Sequence, residues 1–362
     1  MIVTINQTEL KSALSVVSNI ALSNKEANLS CIHLSANNGK LTVSATNPQQ
    51  SARYSADALV EKEGELVVPA RKFCDVCKTL PDEAVAIEAI ENGLVTVKCG
   101  KIKFDIHSLD AYDFPGFSEF GEANDSNTVG IDTRVFAGMI RRCALGAAKD
   151  SNARPILNGV HIRVYDGMIY ATATNSYIAT QAKFGIKDKD ASFCGVIPLA
   201  FAKKIGDTKE CGTAKLSMSD RKCRVVLYSG AEFTTGLISG KYPDVDRIFP
   251  GEFDSEAKFS ASALKASISR ARSLGGKDYI PINVEFDNDS ARVSSEVKSG
   301  ESLEEDISCK SSGSGSFKVN ASMLADAIDS VGFEDVNVCC LSPVDPITIK
   351  GINSRAIVMP VR

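Results

Sequence analysis

Apolar and polar residues alternate in two rhythms along this chain, and the same succession of rhythms occurs three times. Short runs with an apolar residue at every second position, as in residues 1–6, predict half-buried strands. Between them lie segments with apolar residues three and four apart, the spacing of amphipathic helices. Ile5 to Leu14, Ile131 to Ile140 and Phe259 to Ile268 begin alike: an apolar strand end, a small or polar N-cap region, then helical spacing. The second start lies 126 residues after the first, and the third 128 after the second.

The agreement continues at an offset of 128. Ile32-His33-Leu34 matches Val160-His161-Ile162, Asn38-Gly39 matches Asp166-Gly167, and Ala45-Thr46-Asn47 matches Ala173-Thr174-Asn175. Asn-Gly and Asp-Gly between alternating runs predict hairpin turns, because both central positions tolerate positive φ. A second helix follows in each unit, introduced by Val68-Pro69-Ala70, Ile197-Pro198-Leu199 and Val319-Asn320-Ala321. Phe114-Pro115-Gly116 and Tyr242-Pro243-Asp244 close the first two units.

The fold class that follows is α+β: three repeated domains over 1–121, 122–252 and 253–362, each with two helices backed by antiparallel sheets. Helices are expected over 7–25, 69–80, 132–150, 198–208, 260–278 and 320–332. Linkers rich in Gly, Pro, Asp and Ser fall near 116–127 and 244–257, and the Ser/Gly run 311–316 is expected to be a surface loop inside the third unit.

Composition adds mostly exclusions. With 44% hydrophobic and 24% charged residues, 362 residues suffice for several cores. No run approaches the roughly 18 apolar residues of a membrane span, and the first twelve residues have neither the basic nor the apolar region of a signal peptide. These features point to the cytoplasm, where eleven cysteines are free thiols. Cys74 and Cys77 form a lone C-x-x-C, without the second pair a metal site needs, and suit buried helix positions. Two of the three histidines, His33 and His161, occupy equivalent strand positions, which favours a structural role; the third is His107. No phosphate-binding loop, dinucleotide fingerprint, zinc-protease motif or nucleophile elbow is present. No catalytic residue, metal or cofactor is expected.

Charge changes the picture. The net value is −4, yet the six helical segments together carry +7, leaving −11 elsewhere. Lys25, Arg71, Lys72, Arg141, Arg142, Lys149, Arg154, Lys203, Lys204, Arg270, Arg272 and Lys277 are the candidates for a DNA-facing surface, Arg154 lying outside the helices. Such a face binds phosphates without sequence preference. Ordinary solvated helix faces have the same composition.

Several signatures, in this order, resemble those of bacterial DNA sliding clamps, the β subunits of the replicative DNA polymerase III. They are Val68 to Phe73 followed by Leu80-Pro81, Phe104 to Leu109 leading into Asp113-Phe114-Pro115, Arg154 to Gly159, Ala173 to Ser176, Tyr242 to Asp244 with Arg247, and the terminal Val358 to Arg362. The resemblance spans essentially the whole chain. It implies a non-catalytic processivity factor, a head-to-tail homodimer whose six domains ring double-stranded DNA with the helices inward. It implies a subunit contact through Phe104, Ile106 and Leu274, residues that equally suit a core. It further implies a groove for a short partner peptide at Leu157, Thr174, Ser176, Pro243, Arg247, Ile248, Pro346, Ile357, Met359, Pro360, Val361 and Arg362. Read without the resemblance, the terminal segment is a closing strand.

The partners implied are a clamp loader, replicative and translesion DNA polymerases, mismatch-repair proteins and DNA ligase. Ile178 and Ala179 depart from the Arg and Leu of many clamps, which alters one groove wall, and Pro155 and Ile156 replace tyrosines found near DNA in some members. The alternatives are a clamp paralogue with a specialised role, such as inhibitor resistance, and an uncharacterised repeat-domain enzyme.

Overall fold

The computed structural model describes residues 1–362 except 24–25, 27–28, 91–92, 110–113, 122–123, 125, 150–153, 276–278, 298–299 and 362. The first repeat runs β1 (Ile2–Asn6), α1 (Gln7–Leu22), β2 (Cys31–Asn37), β3 (Lys40–Thr46), β4 (Gln50–Asp57), β5 (Leu59–Lys62), β6 (Gly64–Pro69), α2 (Ala70–Thr79), β7 (Ala84–Ile90), β8 (Leu94–Cys99) and β9 (Ile102–His107). The second runs β10 (Thr128–Asp132), α3 (Thr133–Cys143), β11 (Gly159–Tyr165), β12 (Met168–Thr174), β13 (Ile178–Gly185), β14 (Phe193–Pro198), α4 (Leu199–Gly206), β15 (Thr213–Met218), β16 (Lys222–Val226) and β17 (Glu232–Gly236). The third runs β18 (Ser255–Ser260), α5 (Ala261–Gly275), β19 (Pro281–Asp287), β20 (Ser290–Glu296), β21 (Ser302–Ser312), β22 (Gly315–Asn320), α6 (Ala321–Val331), β23 (Asp335–Cys340), β24 (Ile347–Lys350) and β25 (Ser354–Val358).

Local chemistry explains these boundaries. Asn6 caps α1 by accepting from Thr8 N at 2.8 Å, and Asn320 caps α6 by accepting from the amides of Ser322 and Met323. Gly332, at φ 72°, ends α6 in the left-handed conformation that glycine reaches without strain. Both expected hairpin turns form, with positive φ at Asn38-Gly39 and Asp166-Gly167; the third repeat makes the same turn with Asn288-Asp289.

Two expectations need correction. The helix expected over 132–150 stops at Cys143 and continues as a 3-10 turn at Ala144–Gly146. Here the chain runs close against the sheet: a Cβ on Gly146 would lie 2.5 Å from Thr180 Oγ1 and 2.9 Å from the Ala173 carbonyl. The Ser/Gly run 311–316 is strand, not loop. Only Gly313 and Ser314 leave β21 and β22, and Gly315 lies against the Phe286 ring with no room for a side chain.

The backbone packs as two compact units, Met1–Thr133 with Glu210–Gly236, and Arg134–Lys209 with Leu237–Arg362. The first holds a five-stranded sheet in the order β5-β1-β7-β8-β9 and an eight-stranded sheet in the order β10-β15-β16-β17-β4-β3-β2-β6. Leu10, Val17 and Ile20 of α1 and Phe73, Cys74 and Cys77 of α2 are buried, as are Ile32, Leu34, Leu41 and Val43 on the larger sheet. The second unit holds a twelve-stranded sheet, β14-β11-β12-β13-β25-β24-β23-β18-β21-β20-β19-β22. Phe259, Leu264, Ile268, Phe286, Phe317, Leu324 and Ile328 form one core between its third-repeat strands and α5 and α6.

Each large sheet is continuous across two repeats, and each join is fastened by charge. At the first, Glu232 of β17 faces Arg53 of β4. The Glu232 carboxylate, only 9% exposed, sits 2.9 Å from both Arg53 Nε and Arg224 Nε. Arg53 also reaches Glu119 at 2.8 Å and stacks 4.2 Å over the Phe117 ring. At the second, Arg355 of β25 faces Gln181 of β13. Asp246 accepts from Gln181 at 2.8 Å and pairs with Arg163 at 2.8 Å and Arg355 at 3.1 Å, while Arg355 stacks 3.9 Å over Phe249. Burial alone would raise the Asp246 pKa, but the Gln181 and Arg163 hydrogen bonds and the two arginine charges together hold it below the usual carboxylate range.

Two outcomes follow from these joins. Replacing Glu232 by Ala leaves two guanidinium groups without their shared anion, and should destabilise the first unit by about 3 kcal/mol. Urea unfolding measures the loss, and hydrogen exchange should accelerate in β4 and β17 but not in β13 and β25. For Asp246, the folded pKa lies below the unfolded value of about 4. Its stabilisation is therefore present above pH 4 and lost as the pH falls through the folded value. Calorimetry should find Asp246→Asn melting below the parent at neutral pH, with the gap closing in acid.

Candidate DNA-facing surface and partner groove

Amphipathic spacing turns one stripe of each helix into the core and leaves the other polar. In α2 the buried stripe is Ala70, Phe73, Cys74 and Cys77, so Arg71, Lys72 and Lys78 are exposed. In α4 it is Phe201, Ala202, Ile205 and Gly206, which leaves Lys203 exposed. Arg141 ends α3 exposed, and Lys149, Arg154, Arg270 and Arg272 are exposed as well. Lys25, Lys277 and Arg362 lie outside the described residues.

The basic candidates are not equivalent. Arg142 is half-buried, and a Cβ on Gly332 would come within 2.6 Å of its Cδ, so it packs against the end of α6, where a helix favours cations. Lys204 is half-buried too, and burial holds its ammonium below the ordinary lysine pKa. Arg270 is gripped by both oxygens of Glu305, Nε to Oε2 being 3.0 Å, and Lys149 lies 3.6 Å from Asp326. Arg71, Lys72, Arg141, Arg154, Lys203 and Arg272 make no ion pair among the described residues.

Within the second unit, a cavity of about 780 Å³ brings together residues singled out for two different reasons. Lys149 and Arg154, from the basic set, line it with Leu157, Ser176 and Pro243 from the groove set. Leu157 and Ile357 belong to the apolar cluster beneath, with Ala179, Tyr242 and Val245. Thr174 is buried and donates to the Ile178 carbonyl at 2.7 Å, while Ser176, at φ 78°, turns the chain outward. Met359 and Ile248 are exposed apolar side chains, 41% and 45% accessible. Met359 N donates to the Tyr177 carbonyl at 2.8 Å and Val361 N to the Lys318 carbonyl at 2.7 Å, which holds the terminal segment and Pro360 in place. Arg247 is exposed and pairs with Asp244 at 2.8 Å. Pro346 is half-buried ahead of β24 and does not line the cavity.

The cavity also has walls that the sequence reading missed: Tyr177, Met323 and Asp326. Tyr177 directly follows the recognised run ending at Ser176 and could have been included on that ground. Met323 and Asp326 share a face of α6 at helical spacing, but nothing in the sequence places that face here. The Asp326 carboxyl is pushed up by burial against the pull of Lys149. Of the two departures noted in the groove wall, Ile178 turns into the third-repeat core and Ala179 into the apolar cluster beneath the groove.

The three residues singled out for a subunit contact differ in exposure. Phe104 is 36% exposed on β9, the terminal strand of its sheet, and Ile102 beside it is 38% exposed. Ile106 is 7% exposed, buried within its own unit, and Leu274 is half-buried at the end of α5. Ile102, and Leu303 and Ile307 in the part of β21 that pairs with β20 alone (302–308), lie on strand edges that the sequence did not single out.

Burial sets the state of several titratable groups. Burial and the nearby Arg163 charge push the His161 pKa down to about 4, so its ring is neutral, packed 4.6 Å from Tyr242. His33 stacks in the same way on Phe114 at 5.2 Å. Burial pushes the thiols of Cys74 and Cys77 up to about 11 and about 12, the opposite of activation. Among the described residues, no three His, Cys, Asp or Glu side chains cluster so as to hold a metal.

Three models of the DNA polymerase III beta subunit match the chain in succession: the N-terminal domain over residues 1–118, the central domain over 130–244 and the C-terminal domain over 246–362. The chain is 28% identical to a beta sliding clamp of Streptomyces coelicolor over 264 residues, covering 70% of this chain and 68% of that protein. It is 25% identical to one of Streptococcus pneumoniae over 354 residues, covering 91% and 90%. Among solved structures, the DNA polymerase III subunit beta from Pseudomonas aeruginosa superposes with TM-score 0.91 at 23% identity over the whole of both chains. The beta subunit from DNA polymerase of Streptococcus pyogenes superposes with TM-score 0.92, also at 23% identity and over the whole of both chains. With its three repeats matched in order by the three domain models of one protein, the chain belongs to the DNA polymerase III beta subunit family, the bacterial sliding clamps.

Proposed function

We propose that this chain is a DNA sliding clamp: as a head-to-tail dimer it closes around duplex DNA and tethers the replicative polymerase there. The observation that carries this reading is the repeat of one sheet join. Strand β4 takes β17 and β13 takes β25 at equivalent positions, while the corresponding edges of β21 over residues 302–308 and of β9 find no strand among the described residues. Unpaired edges of this kind recruit a further strand, and a second copy supplies the matching one. Two such contacts close six domains, taken as 1–121, 122–252 and 253–362. Retention is then topological, so weak phosphate contacts suffice, and a bound polymerase rebinds at high effective concentration.

The pairing registers align the three repeats residue by residue. Counting across β2-β3-β4, β11-β12-β13 and β19-β20-β21 from the strands that pair before the second helices places Arg53, Gln181 and Glu304 at one equivalent position. Counting across β7-β8-β9, β15-β16-β17 and β23-β24-β25 places Lys103, Glu232 and Arg355 at another. The two positions face each other at both internal joins. In the dimer, Lys103 therefore faces Glu304 of the second copy, Phe104 faces Leu303, and Lys101 faces Asp306. Opposite charges and apolar residues fall together, which supports this register.

The groove around Leu157, Thr174, Ser176, Pro243, Ile248, Ile357 and Met359 suits an extended partner peptide with apolar anchors. The clamp loader, replicative and translesion polymerases, mismatch-repair proteins and DNA ligase are the partners proposed for it. Opening and loading belong to a separate ATP-driven loader, and the site of action is the cytoplasm, on the nucleoid. Among the described residues, no helix is long and apolar enough to cross a membrane.

Loaded onto nicked circular DNA by a clamp loader and passed through a sizing column, the protein should stay with the circle and be lost once the circle is linearised. Equal retention on both forms would refute the ring. The register is tested with Lys103→Cys and Glu304→Cys together, in a chain whose exposed Cys194 and Cys211 are serines. Directly facing positions lie about 5 Å apart at Cβ, so oxidation should give a covalent dimer. Pairing Lys103→Cys with Ser302→Cys should not, and the reverse pattern would move the register by two residues.

A further inference from the structure

Positive charge is distributed unevenly over the six helices once their ion pairs are taken into account. Helix α5 carries Lys265, Arg270 and Arg272 and no acid, which makes it one of the most basic helices by sequence. Two of these three bases are paired within the third repeat. Lys265 pairs with Asp329 of α6, and Arg270 is held by both oxygens of Glu305 on β21. Arg272 is exposed and makes no ion pair among the described residues, and Asp326 of α6 takes Lys149 at 3.6 Å. Helix α6 itself carries Asp326 and Asp329 and no base.

The first two repeats are built differently. Arg71 and Lys72 on α2, Arg141 on α3 and Lys203 on α4 are exposed and make no ion pair among the described residues. An ion pair at the surface removes most of the field that a cation offers to a phosphate, because the approaching anion must compete with a carboxylate already at close range.

We propose that the third repeat forms a nearly closed electrostatic wall, Lys265 and Arg270 of its basic helix α5 neutralised in place by Asp329 and Glu305 with Arg272 left as the one unpaired base of that helix, so that duplex DNA is held chiefly through α2, α3 and α4. This rests on the clamp reading and adds to it which arcs of the ring touch phosphate. In a two-fold ring the basic arcs of the two copies alternate with two neutral ones.

Fluorescence anisotropy of a short duplex at a series of low salt concentrations tests the proposal, because removing one phosphate-binding cation reduces the slope of log K against log salt by about 0.9. Arg71→Ala with Lys72→Ala, and Arg141→Ala with Lys203→Ala, should each weaken binding and flatten the slope. Lys265→Ala with Arg270→Ala should change neither. In the opposite direction, Asp329→Asn should unmask Lys265 on α5, tighten binding and steepen the slope. This acid is chosen for unmasking so that Glu305, near the free edge of β21, stays untouched, and sedimentation confirms that every variant has the parent's assembly state. If the α5 bases flatten the slope as much as those of α2, or if unmasking changes nothing, the closed wall is refuted. If no basic variant alters binding and the protein also fails to stay on circular DNA, it is the clamp reading that falls.

Discussion

A strand at the edge of a sheet presents backbone groups that must find partners, and this demand organises the molecule. Strand β4 of the first repeat is completed by β17 of the second, and β13 of the second by β25 of the third. Repeats that could have been separate beads are thereby welded into continuous sheets. What fastens each weld is one carboxylate held by two arginines: Glu232 by Arg53 and Arg224, Asp246 by Arg163 and Arg355. The facing residues differ between joins, Arg53 with Glu232 at one and Gln181 with Arg355 at the other. The balance of charge is kept while its location moves, since at the second join the acid comes from the segment that crosses over the sheet.

The groove is a product of the second weld. Pairing of β13 with β25 sets Ile357 beside Ala179 and brings Met359 N to the Tyr177 carbonyl, so the floor and one wall come from residues some 180 positions apart. The segment carrying Tyr242, Val245 and Phe249 packs onto that floor, and Asp246 within it is tied down by Arg163, Gln181 and Arg355. Groove shape and sheet continuity therefore depend on the same ion pairs. The cavity that begins at Leu157 and Pro243 extends to Lys149, Arg154 and Asp326, so residues read as DNA-facing and residues read as partner-binding share one set of walls.

Most of the fold was legible because it repeats. Periodicity, the Asn38-Gly39 and Asp166-Gly167 turns and the prolines before α2 and α4 fixed the order of elements, and the offset confirmed it. What escaped was set by tertiary contact. The early end of α3 follows from the close approach of Gly146 to Thr180, which leaves no trace in local spacing. The Ser/Gly run reads as loop by composition, yet β21 and β22 have partners that draw it into strand. Of the residues lining the cavity, Leu157 and Ser176 lie on recognisable motifs, whereas Met323 and Asp326 do not, because only packing turns that face of α6 toward them. Exposure likewise separates Phe104 from Ile106, which the resemblance had placed together.

Charge counts made from sequence carry the same limit. Five of the six helical segments look basic until their partners are known, and then Arg142 proves to be packing material at the end of α6, Lys204 half-buried, and two of the three α5 bases paired. A ring has no use for a full set of phosphate contacts. Each one adds to the salt-dependent affinity for duplex, and a protein held by topology gains nothing from affinity that would slow its sliding. Keeping a few exposed cations on α2, α3 and α4 while pairing Lys265 and Arg270 of α5 allows the chain to stay net acidic, at −4, and still offer phosphate a local welcome. The closed sheets supply strength and the sparse cations supply orientation, and the two can be varied independently because they rest on different residues.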